Sequence, residues 1–400
     1  MTAPVVTGIG VVAPNGVGVA DYWAATLRGE SGIARITRFD PAGYSAQLAG
    51  QVDVDAAAAL PSRLLPQTDH MTRLALLAAD EALADAGAEL GDGFRAGVVT
   101  AASGGGFEFG QRELENLWRR GGAYVSAYQS FAWFYPVNTG QISIRHNLRG
   151  PGATVVAEQA GGLDALAKAR GQLAGGAELM LAGGVDGSLC PWGWLCQISS
   201  GRISTASEPG RAYLPFDEDA TGFVPGEGGA LLALEDAEVA RRRGVGDGYG
   251  RITGYAATFD PRPGSGREPG LRRAVELALA RAGTRPSEVD VVFADASGNP
   301  AADRVEAHML AEAFGPRGVP VAAPKTMTGR LLGGGAALDV AAALLSLRHS
   351  VVPPAVHIGR PKYSDEIDLV VGEPRERPLS TALVVARGHG GFNSALVVTK

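Results

Sequence analysis

From residue 250 onward the sequence begins again. The first half opens with an apolar strand pattern over Val5–Ala13. It continues with an amphipathic pattern at 71–86, where Leu74, Leu77, Ala78 and Leu83 share one helical face, and reaches a buried-strand pattern at 96–100. The second half opens with a strand pattern at 251–256, then a helical one at 271–282 and a buried strand at 289–294. A helix with apolar residues every three or four positions must bury one stripe, and a short run that is apolar throughout must be covered on both faces. Two passes through that rhythm predict an α/β protein built from two similar halves, residues 1–249 and 250–400.

Composition narrows the classes of function. At 46% hydrophobic content, 400 residues can bury a large core, and no apolar run is long and uninterrupted enough to span a bilayer. The opening Met1-Thr2-Ala3-Pro4 lacks a basic segment, so a cytoplasmic location is expected. A net charge of −6 gives no electrostatic case for nucleic acid. Cys190 and Cys196 are the only cysteines, too few for a disulfide framework, and with six scattered histidines they show no metal-ligand spacing. Both thiols are expected in the core. The 57 glycines are about twice the usual share and cluster at strand ends, which predicts tight turns and close backbone approach.

The stretch Val155-Val156-Ala157-Glu158-Gln159-Ala160-Gly161-Gly162-Leu163 reads as a buried strand, a sharp turn and a helix. That arrangement presents a side chain at the positive end of a helix, where a thiolate nucleophile would be stabilised. Here the position holds Gln159, whose carboxamide is no nucleophile. Other signals are weaker. Gly8-Ile9-Gly10-Val11-Val12-Ala13 has the outline of a dinucleotide fingerprint, but Pro14-Asn15-Gly16 makes a turn before any helix, and the helix expected around 21–27 comes too late. The glycine turn Ser103-Gly104-Gly105-Gly106 opens a helix to about Arg120 without the Lys-Ser/Thr of a phosphate loop. Phe131, Trp133, Phe134 and Tyr135 form a cluster that suits either a core or an interface wall. Trp192 and Trp194 fall in an expected loop.

Five landmarks in order resemble the β-ketoacyl synthases of the thiolase fold. They are the Val-Thr-Gly-Ile-Gly start, Pro215-Phe216-Asp217, Gly222-Phe223-Val224 with Gly226-Glu227-Gly228, Lys325-Thr326 with Thr328-Gly329, and Gly390-Gly391 with Asn393. The resemblance implies a five-layered αβαβα sandwich of two pseudo-repeats and a dimer built across the central strands. Active members use a Cys-His-His set, in which the cysteine holds the acyl chain and the histidines assist decarboxylation and stabilise the oxyanion. All three positions differ here: they match Gln159, Asp295 and Arg330, and Lys325 alone is retained. His389 stands where the family has a gating Phe. Asp295 and Arg330 suit an ion pair filling a lost active site at least as well as a chemical role.

The combination of Ala157-Glu158-Gln159-Ala160-Gly161-Gly162, the aromatic cluster and Pro191-Trp192-Gly193-Trp194 further resembles the chain length factors, the ketosynthase β subunits of bacterial type II polyketide synthases. The resemblance implies a non-condensing subunit that pairs with a complete ketosynthase α subunit, with Phe131, Trp133 and Phe134 near the interface. It also implies a carrier protein that bears the phosphopantetheine, so that this chain holds no cofactor of its own. Arg119, Arg120, Arg145 and Arg149 are candidates for meeting that acidic carrier. In the family, a tunnel along the interface limits the product, with gates that match Phe107, Gly110 and Leu114; Trp192 is a further expected wall. Small groups at 110 and 114 predict a tunnel longer than an octaketide needs, unless Gly110 only allows close packing and Leu114 is core. A second expectation follows from members with Gln at the elbow: decarboxylation of a malonyl carrier protein to supply a primer.

Overall fold

The computed structural model describes residues 3–262 and 264–400. Its main sheet contains β1 (Val5–Ala13), β2 (Ala96–Ala101), β3 (Gly152–Val155), β4 (Leu179–Asp186), β5 (Gly228–Glu235), β6 (Gly250–Phe259), β7 (Val291–Phe293), β8 (Pro320–Ala322), β9 (Asp368–Leu369), β10 (Thr381–Gly388) and β11 (Phe392–Thr399). Across the sheet they run β9-β8-β7-β10-β11-β6-β1-β5-β4-β2-β3.

The topology is written twice. In the first half β1 pairs antiparallel with β5 and β5 antiparallel with β4, while β4, β2 and β3 are parallel. In the second half β6 pairs antiparallel with β11 and β11 antiparallel with β10, while β10, β7 and β8 are parallel. The halves meet where Val5 and Val6 pair with Arg251 and Gly250.

The helices are α1 (Val19–Leu27), α2 (His70–Ala86), α3 (Phe107–Arg120), α4 (Gln129–Ala132), α5 (Val137–His146), α6 (Gly161–Ala174), α7 (Pro191–Ser199), α8 (Ala237–Arg242), α9 (Leu271–Ala282), α10 (Pro300–Phe314) and α11 (Gly335–His349). α6 and α11 lie between the two half-sheets in the largest apolar cluster. α11 is buried from Gly335 to Leu347, which explains its run of alanines: residues covered on every side have no room for bulk. α2 covers the outer face of the first half-sheet, and α9 and α10 that of the second. The result is the αβαβα thiolase fold.

Two sequence expectations change here. The segment at Trp192 and Trp194 is a helix, α7, started by Pro191 directly after Cys190, not a loop. Cys190 is buried as expected, but Cys196 is exposed.

Candidate functional site: a filled ketosynthase centre

The elbow survives in shape. β3 ends at Val155 and a single 3-10 turn, Glu158–Ala160, leads into α6. The strand is less buried than its residues suggest, because β3 is the sheet edge and Val156 beyond it is half-exposed. Glu158 holds φ at 49°, a left-handed conformation that costs a non-glycine residue of order 1 kcal/mol. Gln159 follows, buried to 1% exposure. Its amide lies against the start of α11, where a Cβ on Gly335 would come within 2.3 Å of Nε2. Gln159 Oε1 meets no protein donor.

Asp295 leaves the end of β7, and Arg330 comes from the bend before α11; the two meet behind the elbow. Arg330 Nη1 donates to Asp295 Oδ2 at 3.2 Å and Nη2 to Oδ1 at 3.1 Å. Both side chains are buried, Arg330 completely. The pair also ties in the turn between β10 and β11. The Arg387 N–H donates to Asp295 Oδ1 at 2.8 Å, and Arg330 Nη2 donates to the Arg387 carbonyl at 2.5 Å. The His389 N–H donates to Glu158 Oε2 at 2.7 Å, so the elbow and that turn are clasped together. Arg330 Cζ lies 5.6 Å from the centre of the Phe223 ring. Lys325 donates to the Ala294 carbonyl and faces Asp339 Oδ2 at 2.9 Å.

Burial works against charge on Asp295, yet the Arg330 guanidinium, Lys325 and the Arg387 N–H outweigh it and hold the carboxyl below its ordinary range. Arg330 is likewise penalised by burial, but Asp295 and Glu158 raise it above the usual arginine value. Behind the pair, Glu306 accepts the Asp295 and Ala296 N–H groups, and Asp303 accepts those of Phe216 and Gly298. Burial pushes both carboxyls up to about 7. The ionised pair is held largely by protein acceptors, while Arg330 Nε makes no hydrogen bond among the described residues and faces Glu158 Oε1 at 3.8 Å. Cys190 is no nucleophile in its place: burial pushes its thiol up to about 11.

The expected tunnel residues come together on α3 and α7. The Phe107 and Trp192 rings stand 5.0 Å apart, and Trp192 N–H donates to Gln111 Oε1 at 2.9 Å. A Cβ on Gly110 would sit 3.3 Å from Trp192 Cζ3 and 3.6 Å from Trp133 Cβ. Gly110 therefore packs beneath two tryptophans, whereas Leu114, 38% exposed, is not core. Phe131, Trp133, Phe134 and Tyr135 are also exposed. They lie against the glycine turn that opens α3, where a Cβ on Gly105 would meet the Trp133 carbonyl oxygen, and the following helix α5 is tied to β3 through Thr139, which donates to the Ala153 carbonyl and bonds the Thr154 hydroxyl. Of the four arginines singled out for a carrier protein, Arg145 is spent on Asp80 through two bonds of 2.7 and 2.8 Å, while Arg119 and Arg120 remain exposed at the end of α3.

At the N-terminus, Gly8 and Gly10 serve packing, not a nucleotide: Cβ atoms there would fall 2.2 Å from the Ala82 carbonyl oxygen and 1.9 Å from that of Ala78, on α2. Glu81 and Asp85 occupy the backbone N–H groups of Val11 and Ile9. Sequence reasoning missed Arg387, Glu306 and Asp303. No local signal marks them: Arg387 acts 92 positions away, and Glu306 and Asp303 on α10 look like any helical acid until the Asp295–Gly298 loop just before them folds back.

The duplicated thiolase fold and the matches along its length place the chain in the β-ketoacyl synthase family, and it belongs there with the ketosynthase β subunits of bacterial type II polyketide synthases. The family's N-terminal domain matches residues 3–240 and its C-terminal domain residues 249–359. The chain is 61% identical to the tetracenomycin polyketide synthase ketoacyl synthase beta subunit of Streptomyces glaucescens, across 100% of both proteins. It superposes on a chain of a type II polyketide synthase acyl-carrier protein in complex with its ketosynthase bound to the hexaketide (AntDE:AntF), with TM-score 0.88, 26% identity and 99% of each chain covered. It matches the ishigamide ketosynthase/chain length factor with TM-score 0.87 and 26% identity, over 100% of this chain and 99% of that one.

Proposed function

We propose that this chain is a non-condensing subunit that pairs with a catalytically complete ketosynthase α subunit and sets polyketide length from its side of the shared interface. The observation that carries the reading is the filled centre. The elbow that would present a nucleophile offers a buried carboxamide, and the space behind it holds an Asp295–Arg330 ion pair with its charges satisfied. The exposed aromatic face at Phe131, Trp133, Phe134 and Tyr135 supports the pairing, as does the open sheet edge at β3: aromatic residues of this kind fill the centres of protein interfaces. The similarity to a named β subunit and to a ketosynthase/chain length factor supports the role, and the carrier-protein complex among the similar structures supports a carrier protein as the source of substrate.

Length control is a matter of volume. A poly-β-ketone grows by two carbons per cycle, and a side chain in its path imposes a steric cost at one length. Gly110 and the half-exposed Leu114 carry less bulk than Thr and Phe would, and although Trp192 and Trp133 cover Gly110, this wall is read as admitting a product longer than an octaketide. Gly110→Thr with Leu114→Phe places a β-branched side chain under Trp192 and a ring at the mouth. In a heterodimer reconstituted with its α subunit and carrier protein, that variant shortens the principal product by at least one two-carbon unit by mass spectrometry. Unchanged length would refute the assignment.

A second reading has one observation in its favour. Arg330 Nε and Arg387 Nη1 are buried donors without protein partners, close to the elbow, and suit a carboxylate such as that of a malonyl group. Against it, the Asp295 carboxylate opposes enolate charge. Acetyl-carrier formation by the isolated chain, abolished in Gln159→Ala, would favour decarboxylation; no such product favours the length-control role alone.

A further inference from the structure

At the far end of α6 from Gln159, a cavity of about 570 Å³ opens in the seam between the two halves. α6 spans 14 residues, so this cavity lies roughly 20 Å from the elbow. Its walls include Arg170, Leu173, Ala174, Tyr255, Arg281 and Pro4, contributed by α6, β6, α9 and the segment leading into β1. Leu173, Ala174 and the tyrosine ring give it an apolar side; two guanidinium groups give it a strongly cationic one.

What marks the cavity is that its cations are not neutralised. Arg170 is half-buried and, among the described residues, makes no hydrogen bond or ion pair with the protein. Arg281 donates Nη1 to the Tyr255 carbonyl at 2.8 Å and has no carboxylate within ion-pair distance. Two acids lie nearby, but among the described residues neither reaches a guanidinium of this cavity within ion-pair distance. Asp236, which lines the cavity, caps α8 by accepting the Glu238 and Val239 N–H groups at 2.9 and 3.3 Å. Asp164 accepts from the Tyr255 hydroxyl at 2.8 Å and from Ser394. Burial, and then the proximity of Arg281, make the charged form of Arg170 harder to hold. Arg170 is half-buried and Arg281 is exposed at the rim, so the repulsion between the two like charges is eased when an anion binds between them. Planar guanidinium groups bind tetrahedral and planar oxyanions through paired N–H donors.

We infer that the Arg170–Arg281 cavity is a binding site for a doubly charged organic oxyanion, of the phosphate monoester class, whose apolar body rests on Leu173, Ala174 and the Tyr255 ring. The site is remote from the elbow and from the aromatic face. Its ligand would bridge α6 and α9 and so brace the two halves. Size fits as well, because pockets of this volume commonly hold small organic ligands.

The test is thermal unfolding of the purified chain, in its partner complex if that is the soluble form, with inorganic phosphate, phenyl phosphate or chloride at matched ionic strength. The expected result is a saturable rise in midpoint with phosphate that chloride does not give, and binding at least ten times tighter for phenyl phosphate than for phosphate. Arg170→Gln should abolish that rise while leaving the midpoint in phosphate-free buffer unchanged or higher, because it removes the repulsion; Arg281→Gln should weaken binding at least tenfold. Equal responses to phosphate and chloride, or an Arg170→Gln variant that still responds like the parent, would overturn the site. If phosphate binds but phenyl phosphate gains nothing, the organic ligand class is wrong.

Discussion

Arg330 is the residue on which the interior most depends. Removing it leaves Asp295 charged, buried and alone, which typically costs about 3–5 kcal/mol, so Arg330→Ala should strongly lower the denaturant midpoint. Replacing the pair together, Asp295→Leu with Arg330→Met, should cost much less, because it removes both desolvation penalties; the double-mutant cycle measures the coupling. The acids around the pair also predict a pH dependence. Asp303 and Glu306 titrate near 7 in the folded chain, while an unfolded carboxylate titrates near 4, so between those values the folded state holds protons that the unfolded state has released. Their contribution therefore falls as pH rises from about 4 to 7, and Asp303→Asn should flatten that part of the stability profile. Asp295 acts in the opposite sense, stabilising above about 4 and losing its effect as pH falls through its lowered value. At this scale the sequence was informative where motifs frame a position, as at Gln159, Asp295 and Arg330. It was silent on Arg387 and Glu306. Arg387 lies 92 positions from the carboxylate it binds, and a buried Glu on α10 looks like any helical Glu until its loop packs onto it.

Among the elements, the central helices set the tightest tolerance. A Cβ on Gly162 of α6 would come 2.6 Å from the Ala337 backbone nitrogen of α11. Gly162→Ala should therefore push the two helices apart and cost about 1–3 kcal/mol by overpacking, seen as a drop of several degrees in the melting midpoint. Strands and long helices were legible because their apolar periods are strong; β1 and α9 occupy the expected residues. α7 was not. Pro191 and Gly193 read as loop formers, but the proline starts the helix, and Gly193 is required because a Cβ there would fall 2.4 Å from the Ser188 carbonyl oxygen. The edge position of β3 was hidden for a different reason: a strand's neighbours are fixed by topology, not by its own residues.

For the molecule as a whole, the exposed face around Trp133 and Phe134 should matter for assembly and little for folding. Trp133→Glu with Phe134→Glu should leave the chain's own melting midpoint within a few degrees while weakening its co-elution with the α subunit by at least tenfold. Retained co-elution would move the interface elsewhere. Four aromatics in five residues could not by themselves distinguish core from contact surface, since either environment rewards them; only the exposure of all four rings in the folded chain decides it.

The clasp between the elbow and the Gly388–Gly391 turn also has a consequence for how such a subunit can evolve. A lone return of cysteine at 159 would still face Asp295 and Arg330 in the space a base requires. A lone return of histidine at either of those positions would leave the other charge buried without its partner. Either histidine step thus passes through a protein that carries one buried charge without its partner, and the ion pair works as a ratchet against stepwise replacement of either member.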